Sequence, residues 1–138
     1  MARTTKIQAI LYNPGATVEY LLLKRPGSRD GSWAPLTGHV EKGEQLLDAL
    51  EREIKEETGI EDLSYIIDLR VPYNFSKGDE EIEEHSFGVQ VATKEVRLSA
   101  EHEAFEWVTY EEAARRLKWP QQKTSLQVLN DMVTSSYD

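Results

Sequence analysis

The sequence has no cysteine, so it carries neither a disulfide framework nor a thiolate metal site, and any metal must be held by oxygen or histidine. It has no apolar run near the ~18 residues that a membrane span requires, and its mean hydropathy is -0.57, which excludes a transmembrane helix. The opening MARTTKIQAILYN lacks the apolar core and small-residue cleavage site of a secretory leader, so the expected location is cytoplasmic. Positive charge is scarce: 16 Lys+Arg face 25 Asp+Glu, for a net charge of -9. Such a field repels a phosphate backbone, and with no basic stripe a nucleic-acid duplex is excluded as partner. Repeats, low-complexity tracts and long linkers are absent too. A second core would need roughly 50–100 residues of its own, so one domain over residues 1–138 is expected.

What is present is a chain of short elements. Apolar runs at 6–12 and 19–24 flank Asn13-Pro14-Gly15 and read as a hairpin. The stretch 25–33 (RPGSRDGSW) reads as a loop, 34–40 as a short extended piece, and Glu41-Lys42-Gly43 as a turn. From Glu44 to Thr58, Leu46, Leu47, Leu50 and Ile54 follow helical spacing, with Gly59 as the stop. Residues 63–73 and 86–93 read as strands, and the polar, acidic segment 74–85 between them as a mobile loop. A last short strand at 106–108, a helix at 110–117, a break at Trp119-Pro120 and a helix at 124–133 complete the chain. This pattern implies an α+β fold, a mixed sheet covered by helices.

The acids are clustered: nine of the 25 lie between Glu41 and Asp62. At 100° per residue, Glu53, Glu56 and Glu57 project beside the apolar stripe of the 44–58 helix into one small volume. Like charges at this spacing cost ~0.2–0.5 kcal/mol per pair, and an oxygen-preferring divalent cation would offset the repulsion. Arg52 adjoins the cluster and is placed to orient a carboxylate. A glutamate-rich amphipathic surface without any ion is the plainer reading of the helix alone.

The flanking residues extend the pattern. Gly38, Glu44 and Arg52-Glu53-Ile54-Lys55-Glu56-Glu57-Thr58-Gly59-Ile60 match G-x5-E-x7-R-E-U-x-E-E-x-G-U at every fixed position, where U is a bulky aliphatic. A chance match in a chain of this length is on the order of 10⁻⁸. The chain therefore resembles the Nudix hydrolases, which cleave nucleoside diphosphates linked to another moiety. The resemblance implies an α/β/α sandwich with a central mixed sheet and a loop–helix–loop box. It implies Mg²⁺, with Mn²⁺ as substitute, held by Glu53, Glu56, Glu57 and the carbonyl of Gly38. It makes Arg52 a buttress and Glu44 a brace of the loop–helix–loop. Gly38, Gly43 and Gly59 fall where the chain is expected to turn tightly. Glu101, in LSAEHEAFEW, is the candidate general base or further ligand, with Glu103 its rival.

Substrate contacts are expected from Lys24 and Arg25 at the end of the second strand, from Trp33, and from His39. Trp107, Tyr73 and Phe75 suit the core as well as a base; His102 adjoins a motif position, and His85 suggests no role. Trp33-Ala34-Pro35-Leu36-Thr37-Gly38, Glu101-His102-x2-Phe105-x-Trp107 and Leu117-x-Trp119 are similar to the nucleoside triphosphate and dihydroneopterin triphosphate pyrophosphatases. The expected reaction is Mg²⁺-dependent release of pyrophosphate and a monophosphate, and the expected partner is a small nucleotide or pterin triphosphate. Gly38-His39-Val40 and Leu98-Ser99-x-Glu101-His102 resemble the asymmetric diadenosine tetraphosphate hydrolases, which give ATP and AMP. Those commonly carry Lys before the first box glycine, where this chain has Thr37. A non-catalytic nucleotide sensor is the third reading.

Overall fold

In the computed structural model, residues 2–27 and 31–135 are described, so residues 28–30 of the expected 25–33 loop lie outside the described residues. The strands are β1 (Ala2–Pro14), β2 (Val18–Lys24), β3 (Trp33–Ala34), β4 (Leu36–His39), β5 (Leu63–Asp68), β6 (Tyr73–Lys77), β7 (Glu80–Val91) and β8 (Ala104–Val108). The helices are α1 (Leu46–Thr58), α2 (Tyr110–Arg116) and α3 (Pro120–Ser135). All eight strands join one sheet with the path β3-β2-β1-β7-β5; β4 pairs with β1, β6 with β7 and β8 with β2. β1 runs parallel to β7, while the other pairings among the described residues are antiparallel, so the sheet is mixed as expected.

Strand alternation divides the core into two layers. Ile7, Ala9 and Leu11 of β1, with Phe87, Val89 and Val91 of β7, pack on Leu50 and Ile54 of α1. Ile10 and Tyr12, on the opposite side of β1, pack with Ala113 of α2 and Leu126 and Leu129 of α3. Tyr20 is fully buried, and its hydroxyl donates to Asn130 Oδ1 at 2.7 Å, tying β2 to α3. This is the α/β/α sandwich the sequence implied.

Four expectations change. The 63–73 strand is two elements: β5 ends at Asp68, whose Oδ1 accepts the Arg70 N–H at 2.9 Å, and Arg70 takes a left-handed φ of 56°. The acidic segment 74–85 is no loop but most of a β6–β7 hairpin, with Tyr73 opposite Glu84 and Phe75 opposite Ile82. Its charges misled because a run of acids reads as solvated, whereas a strand sends successive residues to opposite faces; the Gly78-Asp79 turn, with Gly78 at φ 63°, is a two-residue hairpin signal. The 34–40 piece is interrupted at Pro35, so β3 pairs with β2 and β4 with β1. The last helix starts at Pro120 rather than 124, since proline at the first helical position leaves no needed N–H missing.

Candidate functional site

Helix α1 begins after Gln45 and ends on Gly59, whose φ of 76° closes the helix with an N–H bond to the Lys55 carbonyl. Its apolar stripe anchors one side on the sheet, which rolls Glu53 and Glu57 to the buried edge and leaves Glu56 exposed. Arg52 organises the charges. Its Nε and Nη2 donate to the two Glu44 carboxylate oxygens at 2.9 and 3.0 Å, a bidentate pair. Its Nη1 reaches Glu53 at 2.9 Å and Glu56 at 3.3 Å, and its Nη2 also donates to the His39 carbonyl at 2.8 Å. Glu44 in turn accepts the Glu41 N–H at 2.9 Å, so one guanidinium ties the turn, the helix and the end of β4 together. The Arg52 hydrogen bond holds the Glu44 carboxyl below its ordinary range.

Gly38 is not a tight turn as expected; it is extended within β4, and its missing side chain makes room for Glu53. A Cβ on Gly38 would sit 2.2 Å from Glu53 Cδ. The carboxylate therefore lies directly against the β4 backbone. Burial pushes the Glu53 carboxyl up despite Arg52.

Glu57 is 4% exposed. Ser99 Oγ donates to its Oε2 at 2.8 Å, and His102 Nδ1 stands 3.0 Å from the same oxygen. Burial first, and then the neighbouring carboxylates of Glu101 and Glu53, push its pKa up to about 7 against the pull of Ser99. Glu101 thus joins the α1 cluster. Glu103 does not: it accepts the Gly27 N–H at 3.1 Å and faces Lys24 at 3.9 Å, bracing the 24–27 loop. Sequence reasoning assigned nothing to Ser99, which only the folding of 93–103 brings to Glu57.

As placed, no three carboxylate or imidazole groups among the described residues converge on one point, because Arg52 draws Glu53 and Glu56 while Ser99 draws Glu57. The donor set is nonetheless suited to a hard divalent ion. It is all oxygen, and burial first, then the nearby Glu101 and Glu53 carboxylates, disfavour an uncompensated charge on Glu57.

On the opposite side of the sheet, between the β6–β7 hairpin and the start of α3, lies a cavity of about 890 Å³ lined by Lys6, Arg25, Thr37, Tyr73, Glu84 and Gln122 among others. β4 connects it to the carboxylates. Thr37 pairs with Gln8 and faces the cavity, and the next residue, Gly38, holds Glu53 on the other face. Arg25 lines this cavity; Lys24, Trp33 and His39 do not. Trp33 packs on the α2–α3 layer with the Arg116 guanidinium 5.2 Å above its ring, and Trp107 packs on the α1 layer, its indole N–H donating to the Lys94 carbonyl at 3.0 Å. Phe75 and Trp119 line the cavity with Tyr73.

A family model described as NUDIX domain matches residues 2–129. The chain is 36% identical to the asymmetrical bis(5'-nucleosyl)-tetraphosphatase of Mus musculus, over 81% of this chain and 78% of that protein. It is 30% identical to nucleoside triphosphatase NudI of Escherichia fergusonii, over 83% and 88%. It is also 39% identical to an octanoyltransferase of Myxococcus xanthus over 83% of this chain, but spans only 33% of that protein's length. In shape it is similar to the E. coli dihydroneopterin triphosphate pyrophosphohydrolase, with a TM-score of 0.78 at 24% identity, covering 94% of this chain and 99% of that one.

Proposed function

This chain belongs to the Nudix family as a pyrophosphohydrolase of nucleotide-like substrates, and we propose that it uses Mg²⁺ to split a nucleoside or dihydroneopterin triphosphate into a monophosphate and pyrophosphate. The observation that carries this reading is β4, which sets a cavity large enough for a base at Thr37 and a carboxylate cluster at Gly38. A triphosphate bound with its ring system in the cavity would cross the β4 edge to reach the glutamates.

Glu53, Glu56, Glu57 and the Gly38 carbonyl would hold the metal. When bound there, Mg²⁺ neutralises phosphate oxygens and acidifies a water. Arg52 fixes the rotamers of Glu53 and Glu56 and, through Glu44 and the His39 carbonyl, the loop that carries them. Ser99 holds Glu57 from the other side, with His102 Nδ1 3.0 Å from the same oxygen. Glu101 takes the proton from the attacking water as its oxygen bonds to the α-phosphorus. The bridging P–O bond breaks and its electron pair leaves with pyrophosphate.

The similarity to the mouse tetraphosphatase supports a second reading, hydrolysis of diadenosine tetraphosphate to ATP and AMP. A Mg²⁺-dependent turnover panel with product identification separates the two. Pyrophosphate and a monophosphate from a triphosphate is the expected result. ATP and AMP from the dinucleotide, with triphosphates intact, would transfer the assignment. Silence across the panel with tight ligand binding would make the chain a sensor.

A further inference from the structure

Two of the buried polar groups on the cavity wall have acceptor oxygens that the protein does not use. Glu84 is 6% exposed, and among the described residues no hydrogen bond or ion pair holds its carboxylate. Gln122 is 4% exposed, and its Oε1 has no hydrogen-bond partner. The Gln122 acceptor left this way costs free energy unless a ligand or water satisfies it. Glu84 and Gln122 line the same cavity as Trp119 and the tilted ring pair of Tyr73 and Phe75, whose centroids are 5.2 Å apart. Aromatic walls and buried acceptors in one cavity describe a receptor for a planar heterocycle with a donor-rich edge.

Common bases differ sharply at that edge. Guanine presents a ring N–H and an adjacent amino group, two parallel donors that match the two oxygens of one carboxylate. Adenine and cytosine present an amino group beside a ring acceptor, which a carboxylate repels. Uracil and thymine present a single N–H between two carbonyls. Pterins carry the guanine pattern, a 2-amino-4-oxopyrimidine ring. Burial raises the Glu84 carboxyl above its ordinary range, and Lys6 and Arg25, on the same wall, oppose that rise with positive charge beside it.

We propose that Glu84 and Gln122 are the specificity-determining residues of this enzyme, and that they select substrates bearing a 2-amino-4-oxopyrimidine edge, Glu84 by accepting the ring N–H and the 2-amino group together. The inference rests on the triphosphate reading above for the reaction, but its test does not. Binding of GMP, IMP, AMP and neopterin monophosphate is measured by calorimetry in EDTA, so that affinity reports the cavity and not a metal. IMP is GMP without the 2-amino group. Losing one charge-assisted hydrogen bond predicts GMP over IMP by about tenfold or more, and over AMP by at least as much. Neopterin monophosphate binding more tightly than GMP would assign the edge to a pterin, and the reverse to guanine; both sustain the proposal. Glu84→Gln should bring GMP and IMP within about twofold of each other, because an amide presents one acceptor and one donor to two donors. The wild-type GMP/IMP ratio stands as the test even where that variant fails to fold. Equal affinities for all four ligands, preference for AMP, or no measurable binding would overturn the proposal. Selective binding without turnover of any triphosphate would leave the pocket assignment standing and sink the reaction instead.

Discussion

On the α1 face every box carboxylate meets a protein donor: Arg52 takes Glu44, Glu53 and Glu56, while Ser99 takes Glu57. On the α3 face Gln122 is 4% exposed with its Oε1 unpartnered, and Glu84 is 6% exposed with only the charges of Lys6 and Arg25 to offset its burial. The two sets share one sheet and differ in how their acceptors are satisfied. The contrast separates two tasks. Groups that must hold one geometry during a reaction are braced by neighbours, whereas groups that must recognise a ligand keep their hydrogen-bonding capacity for it.

The largest effect should come from the braced side. Glu57→Gln is expected to lower Mg²⁺-dependent turnover by at least ~10²-fold with the fold retained by circular dichroism, since a ligand charge is removed. A near-normal rate in the folded variant would remove Glu57 from the site. Gly38→Ala should cost up to ~10²-fold, because its methyl would displace the Glu53 carboxylate while leaving every charge in place. Steady-state kinetics should show that loss in kcat more than in KM. Arg52→Lys is expected to cost about tenfold, as an ammonium cannot replace the bidentate fork to Glu44 while also reaching Glu53 and Glu56.

The unbraced side should answer to pH instead. Burial raises the Glu84 carboxyl above its unfolded value, so its contribution to stability is fully present below the unfolded pKa and is lost as pH rises through the folded one. Wild-type protein should therefore melt below Glu84→Gln at pH 8 and draw level with it near pH 4. A gap that stays constant with pH would mean that Glu84 does not titrate differently in the fold. Smallest of all, Lys24→Ala should change stability by less than ~1 kcal/mol in chemical denaturation, because its 3.9 Å pair with Glu103 is solvent-exposed.

Much of the braced side was legible beforehand. The carboxylates, Arg52 and Gly59 sit within one helix and its cap, where a 3.6-residue period converts spacing directly into geometry. The general placement of Glu101 near them also followed, while Ser99 did not, since nothing local marks a serine in an irregular segment as a carboxylate's partner. The cavity side was largely hidden. Arg25 was singled out and lines the cavity, but Lys24, Trp33 and His39 fell elsewhere, and Tyr73 and Phe75 were as readily core as contact. Glu84 stood in a run of five acids between Asp79 and Glu84 that reads as a solvated loop.

The sequence alone determined the carboxylate cluster: which carboxylates share a face, which arginine adjoins them, and where the helix must stop, because each depends on neighbours within a few turns. Only the tertiary structure decided which acid of the 79–84 run is buried. That choice depends on β7 lying between β1 and β6, a pairing that joins residues ~80 positions apart. Strand alternation then turns Glu84 inward and Glu83 outward, so two chemically identical neighbours face a cavity and the solvent.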